Sequence, residues 1–282
     1  MKPMTWSRSF WAAAWLGWQI ESNWTDPFLF TVYSVVKPVA AAAILVVMYA
    51  VVIRADFASP VFASIYLGSA FYVYVGAVMT GVAYAILDDR ERYRMLRYVY
   101  VAPMDFRVYL VGRAAARFAA ATVSVVITIA AGVLFLHLNV SPLRIDWPLL
   151  LVSMAIGMAM LAVLGLWLGG FVMQFAHQSW SVGDAVAGTL FLISGAVFPI
   201  DVLPPSVRAV GFVVPITYWL ELVRRALIGR SGFTTFATFT TLRLLATLAG
   251  LTVVCAIVAL ASFHYCDQRA RELGLIDRTT NY

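Results

Sequence analysis

The side chains able to do chemistry in this chain of 282 residues gather in two places. Residues 88–113, DDRERYRMLRYVYVAPMDFRVYLVGR, set Arg90, Arg92, Arg94, Arg97, Arg107 and Arg113 against Asp88, Asp89, Glu91 and Asp105. So dense a block of charge is too polar for hydrocarbon, and water or another protein must meet it. In the second place Glu221 precedes Arg224 and Arg225 by three and four positions, a spacing that allows ion pairs along one helix face. Hydrolytic and metal chemistry find no support in the residue types. Asp88 and Asp89 read as the charged end of an apolar run. His137 and His177 have no second His, Cys or carboxylate at metal-ligand spacing. A phosphate-binding loop needs Gly-Lys-Ser/Thr, because the lysine meets the phosphates and the hydroxyl holds magnesium. The only lysines, Lys2 and Lys37, each precede a proline, so this chain cannot bind ATP by that motif.

The elements that must position these groups are membrane helices. The chain is 62% hydrophobic and 12% charged, with a mean hydropathy of +0.87, whereas a soluble domain is about a quarter charged. Uncharged runs long enough to cross a bilayer occur at 57–87, 118–143, 147–176 and 244–266. The run 185–200 becomes a span by taking in 179–183 and Asp184, and 28–53 qualifies with one interruption at Lys37. The expected fold class is an all-α integral membrane protein with six spans at 28–53, 64–87, 108–138, 147–176, 179–200 and 243–266, since only helices and closed barrels satisfy their backbone in lipid. Barrel strands would be shorter and less continuously apolar.

Residues 1–23 place Trp11, Trp15 and Trp18 on one helix face, which predicts a helix lying in the cytoplasmic interface or packing by those rings on the first span. No continuous apolar core ahead of a cleavage site marks them as a signal peptide. Lys37, at the depth of the first span, could snorkel, pair with a neighbour or face a water-filled path. In residues 194–229, Pro199, Pro204, Pro205 and Pro215 forbid one continuous helix, so two half-helices are expected, one entering and one leaving, within a segment at 201–230. Irregular backbone at membrane depth needs protein or a water-lined cavity around it, which makes this segment a candidate pathway lining. Cys255 and Cys266 imply no disulfide framework. The net charge of +6 fits basic loops held on the cytoplasmic side better than nucleic acid as a partner. Counting those loops does not separate six spans from seven; the prolines favour six.

Two ordered motifs carry a family resemblance over nearly the whole chain. After the second span come Glu91-Arg92, Leu96, Pro103 and then Tyr109-Leu110-Val111-Gly112-Arg113 at the start of the third. Later come Ser194-Gly195, Phe198-Pro199, Leu203-Pro204, Pro215, Thr217-Tyr218, Glu221 and Arg224 or Arg225. Together these resemble the permease subunits of ABC-2 type exporters. Tyr93-Arg94 departs from the glycine and small residue that many members carry there. The resemblance implies half of a transmembrane pore, paired with a second copy or a related permease and with separate nucleotide-binding subunits that hold ATP and magnesium. This chain would have no cofactor and no ATPase site of its own. A cytoplasmic coupling helix within 88–107 would dock on the nucleotide-binding subunit through Glu91, Arg92, Tyr93, Leu96, Tyr100 and Pro103, and 201–230 would be an outward re-entrant hairpin. Lys37, Tyr72, Phe198, Pro199, Pro215, Tyr218, Glu221 and Arg224 would line the translocation pathway. The expected location is the inner membrane of a prokaryote, among lipids, with the N-terminus and the tail at 267–282 cytoplasmic.

Other readings stay open on the residues alone. An ion-coupled secondary transporter would use Lys37 and Glu221, and a membrane-embedded enzyme or assembly factor would need no pathway. The aromatic residues suit an amphipathic small molecule, a lipid or drug-like compound, or a polysaccharide or glycolipid, because ring faces carry no distinctive charge.

Overall fold

The computed structural model describes residues 5–22, 36, 39–40, 43–44, 46–48, 59–138, 140, 143–174, 179–229 and 233–275. Most of the first expected span, including Lys37, lies outside them, as does His177. Among the described residues the chain is helical without strands, an all-α integral membrane protein.

Helix α1 (Trp6–Ser22) lies along the early part of α4 (Phe106–Leu136). The seam is made of small residues: Ser9, Ala13 and Gly17 recur every four positions and are buried. A Cβ on Gly112 would come within 2.6 Å of the Ala13 Cβ and 2.7 Å of the Phe10 carbonyl oxygen, so the two backbones nearly touch. Trp6, Trp11, Trp15 and Trp18 point away from α4, with Trp11 69% exposed. The rings therefore do not make the contact with α4; the first span, on which they could also pack, lies mostly outside the described residues.

Helix α2 (Pro60–Arg92) starts where the Ser59 hydroxyl accepts from the Phe62 N–H at 3.1 Å and Pro60 occupies the first turn. It is the central element, with 78% of its most apolar stretch buried against 17–33% for the other three long helices. Two π-helical turns interrupt it, Val75–Thr80 and Asp88–Arg92; in the second, the Tyr93 N–H reaches the Asp88 carbonyl at 2.8 Å. Gly165 of α5 (Trp147–Val172) packs so closely on α2 that a Cβ would lie 2.9 Å from the Met79 carbonyl oxygen, and Gly169 sits against Ile86 one turn on.

Helix α3 (Leu96–Val101) follows α2 after a short bend, and α4 begins at Asp105, whose carboxylate accepts from the Arg107 N–H at 2.8 Å. Asp146 caps α5 in the same way. Helix α6 (Ser179–Ile193) is apolar but shorter than a full crossing. Helices α7 (Pro205–Val213) and α8 (Pro215–Ile228) meet at 76°, and α9 (Thr241–Glu272) runs along α5 and α8. Four described helices, α2, α4, α5 and α9, are long and apolar enough to cross a membrane. The prolines break the chain where expected, but α9 extends to Glu272, six residues beyond the expected end of the last span, because its final turns have neighbours to pack on.

Candidate functional site

The two chemically loaded regions are built by opposite rules. In the first, the residues between α2 and α4 sort by helix face. Leu96, 2% exposed, and Val99 turn into the protein, while Arg97, Tyr98 at 63% and Val101 at 85% turn outward. Leu96 was expected to meet a partner; it turns into the chain's own helices instead, because three- and four-residue spacing puts it on the face that α3 buries. Tyr100 is half-buried as well. Its hydroxyl donates to Asp267 Oδ1 of α9 at 2.6 Å, and the ring lies tilted against Phe106 with centres 4.6 Å apart. Burial, and then the Asp267 carboxylate, push the Tyr100 hydroxyl far above its ordinary pKa, so it remains a donor. Arg271 completes the contact, donating to Asp267 Oδ2 at 2.9 Å with its guanidinium 4.7 Å from the centre of the Tyr100 ring.

Around this helix, Glu91 pairs with Arg90 at 2.8 Å, the Arg92 guanidinium lies 5.8 Å from the Tyr93 ring centre, and Tyr93 and Pro103 are half-buried. Arg94, at the departure from the family pattern, has φ +51°, the left-handed region that costs a residue with a Cβ about 1 kcal/mol. Behind the surface lies a network that spacing alone did not reveal. Asp89, fully buried, accepts from the Tyr109 hydroxyl at 2.6 Å and from Arg113 Nη1 at 3.0 Å. Arg113 also donates to the Tyr109 oxygen at 2.8 Å. Arg117 reaches Glu21 of α1 at 3.1 Å and Asp88 at 3.8 Å, so α1, α2 and α4 are tied by charge where they leave the apolar region.

The second region is organised around interrupted backbone. Pro215 has no N–H and ends α7, which leaves carbonyls that the helix cannot satisfy. The Thr217 hydroxyl donates to the Gly211 carbonyl and the Tyr218 hydroxyl to the Phe212 carbonyl, each at 2.8 Å, closing the corner from within. Arg224, 3% exposed, donates through Nε to the Ser64 carbonyl at 2.8 Å and through Nη2 to those of Gly195 at 2.6 Å and Ala196 at 3.2 Å. Arg225 bonds Glu221 Oε1 at 3.0 Å and the carbonyls of Phe236 and Phe239 at 2.7 Å each.

Matched against known families, the ABC-2 type transporter model covers residues 8–228. The chain belongs to the ABC-2 type transporter family. It is a multi-pass transmembrane permease subunit, the kind that works with an ABC ATP-binding subunit. Comparison with curated proteins gives no match.

The match begins in the first turn of α1 and ends at Ile228, the end of α8, so α9 of this permease lies beyond it. Of the residues expected along its pathway, Tyr72 joins α2 to α6, its hydroxyl 2.6 Å from the Ala187 carbonyl and its ring 4.8 Å from Phe191. Phe198 is 41% exposed and Pro199 half-buried beside it. Pro215, Tyr218, Glu221 and Arg224 are inside, committed to the α7–α8 corner and its neighbours. Lys37 falls outside the described residues. Asp267 and Arg271 had no signal in the sequence, because a polar residue in the last turns of a long helix looks solvated until its distant partner is known.

Proposed function

We propose that this permease forms, with a second copy or a related permease, the pathway of an ATP-driven exporter whose ATP and magnesium sit on separate ATP-binding subunits. The observation that carries the reading is the divided face of α3: one side buried in the permease, the other presenting Arg97, Tyr98 and Val101. An apolar and basic patch on a short helix between charged turns suits a complementary groove, with Coulombic attraction steering the encounter and Tyr98 and Val101 supplying buried contact. Glu91, Arg92 and Tyr93 border that patch; Leu96, Tyr100 and Pro103 support it from behind.

In this reading α1 lies in the cytoplasmic interface of the inner membrane with its tryptophans among lipid headgroups, and both termini are cytoplasmic. Phe198 and Pro199 stand at the outward mouth, and Tyr72 lies along the wall. Glu221, Arg224, Pro215 and Tyr218 hold the frame of the re-entrant hairpin that borders the pathway. Lys37 is assigned to the same pathway from its depth in the first span. The cargo is an amphipathic small molecule, lipid or drug-like compound, since the available lining is aromatic. No nucleic acid takes part.

The test is to purify the tagged chain from its own membranes and follow cargo movement in vesicles with and without ATP. The expected result is an ATP-binding protein in stoichiometric amount and movement that stops when ATP is withdrawn. Isolation without such a protein, together with movement that follows a proton or sodium gradient, would overturn the reading.

A further inference from the structure

We infer that Asp267 is a positioning residue for coupling: by holding Tyr100 to the foot of α9, it makes α9 the rod that carries movement of α3 to the outward α7–α8 pair. This rests on the exporter reading and adds a route to it. A helix of six residues cannot set its own position, since isolated helices that short are unstable in water and take their order from packing. α3 has two attachments. Leu96 and Val99 bury into the bundle, and Tyr100 enters the contact with Asp267 and Arg271, a charge-assisted pair of hydrogen bonds with a cation over the ring. Apolar packing allows sliding; a hydroxyl fixed on one carboxylate oxygen does not.

The other end of α9 is held in the same manner. Arg225 of α8 donates to the Phe236 and Phe239 carbonyls just ahead of α9, and Arg243, in the first turn of α9, lies with its guanidinium 4.4 Å from the Phe239 ring centre. Between the two clasps α9 has 32 residues, a rise of about 48 Å. Its buried stripe, Leu244, Leu248, Thr252, Ala259, Phe263 and Ala270, keeps one face on its neighbours. Near the foot, a Cβ on Gly170 would stand 3.2 Å from the Phe263 Cα, and Gln174 Nε2 donates to the Cys266 carbonyl at 2.7 Å. A helix fixed at both ends and seated along its length moves as a body. A displacement of α3 therefore reaches the re-entrant pair through α9, outside the stretch that the family match covers.

The experiment uses the full chain bound to its ATP-binding subunit, with Cys255 and Cys266 replaced by Ser and spin labels on cysteines at Leu134 and Leu242, both exposed at the ends of α4 and α9 that lie far from α3. Their separation is measured with ADP and with ATP trapped by vanadate. The unaltered clasp is expected to give a nucleotide-dependent shift. Tyr100→Phe and Asp267→Asn should each reduce it at least twofold, the pair together no further than either alone, and Asp267→Glu should restore most of it. In the Asp267 variants, ATP hydrolysis and binding of the subunit should stay within twofold. A full shift in both single variants overturns the inference, as does a loss of shift that follows a loss of folded protein or of the bound subunit, which would make the clasp structural only. If the parent chain binds no ATP-binding subunit, the exporter reading itself fails and the route falls with it.

Discussion

Arginine plays two different parts at the two ends of this permease. In the α7–α8 corner Arg224 is turned inward and surrounded by carbonyl oxygens, two of them at the break after α6 where the interrupted helix leaves acceptors without donors, and a guanidinium offers five N–H groups in a fixed fork. On α3, Arg97 lies outward against the Tyr98 ring, 4.9 Å from its centre, and its charge faces the surroundings. The lesson is that local backbone, rather than residue type, decides whether a charge is a structural donor or a surface feature. A regular helix needs no outside donor and can spend its arginines on a partner. A broken one cannot.

The largest effect should come from taking the donor away in the corner. Arg224→Ala takes the donor from the Gly195 and Ala196 carbonyls at the break after α6, at roughly 1–3 kcal/mol each, and is expected to abolish monodisperse protein in detergent. Arg224→Lys should rescue only part of the yield, since an ammonium lacks the planar fork. Normal yield from Arg224→Ala would erase the distinction between the two regions.

At α3 the same comparison separates inner from outer positions. Leu96→Asp is expected to lower folded yield, because it puts a carboxylate where Leu96 is 2% exposed. Val101→Asp should leave yield and melting unchanged but weaken the ATP-binding subunit's hold by tenfold or more in a pull-down titration, in line with a central apolar contact of about 2 kcal/mol. Equal behaviour of the two variants would show that α3 does not have a divided face.

Smaller effects sharpen the picture. Thr217→Val keeps the shape and removes the donor to Gly211, so thermal unfolding should report a loss of about 1 kcal/mol. Arg94→Gly should raise stability by at most about 1 kcal/mol by relieving the left-handed φ, with the subunit still bound. A drop in stability there would show that the Arg94 side chain holds the bend between α2 and α3.

Much of the architecture was legible because it is local. Pro199, Pro204, Pro205 and Pro215 announce the breaks, whatever the rest of the chain does. The tryptophan face of α1 was legible for the same reason. Its opposite face was not, since Ala13 and Gly17 gain meaning only when Gly112 of α4 comes against them.

The sequence by itself determined that this is an all-helical membrane protein without a phosphate-binding loop of its own, with a charged block after α2 and a proline-broken segment before the last helix. Only the tertiary structure decided which polar residues are frame and which are surface. Tyr100 and Asp267 stand 167 positions apart, and Arg224 and Ser64 stand 160 apart. Helical periodicity carries information over three or four residues, so it could place Leu96 and Tyr100 on α3 but not say what would meet them. What meets Tyr100 is set by how α9 closes against α5, through contacts among Gly170, Phe263 and Cys266 that no short stretch of chain contains.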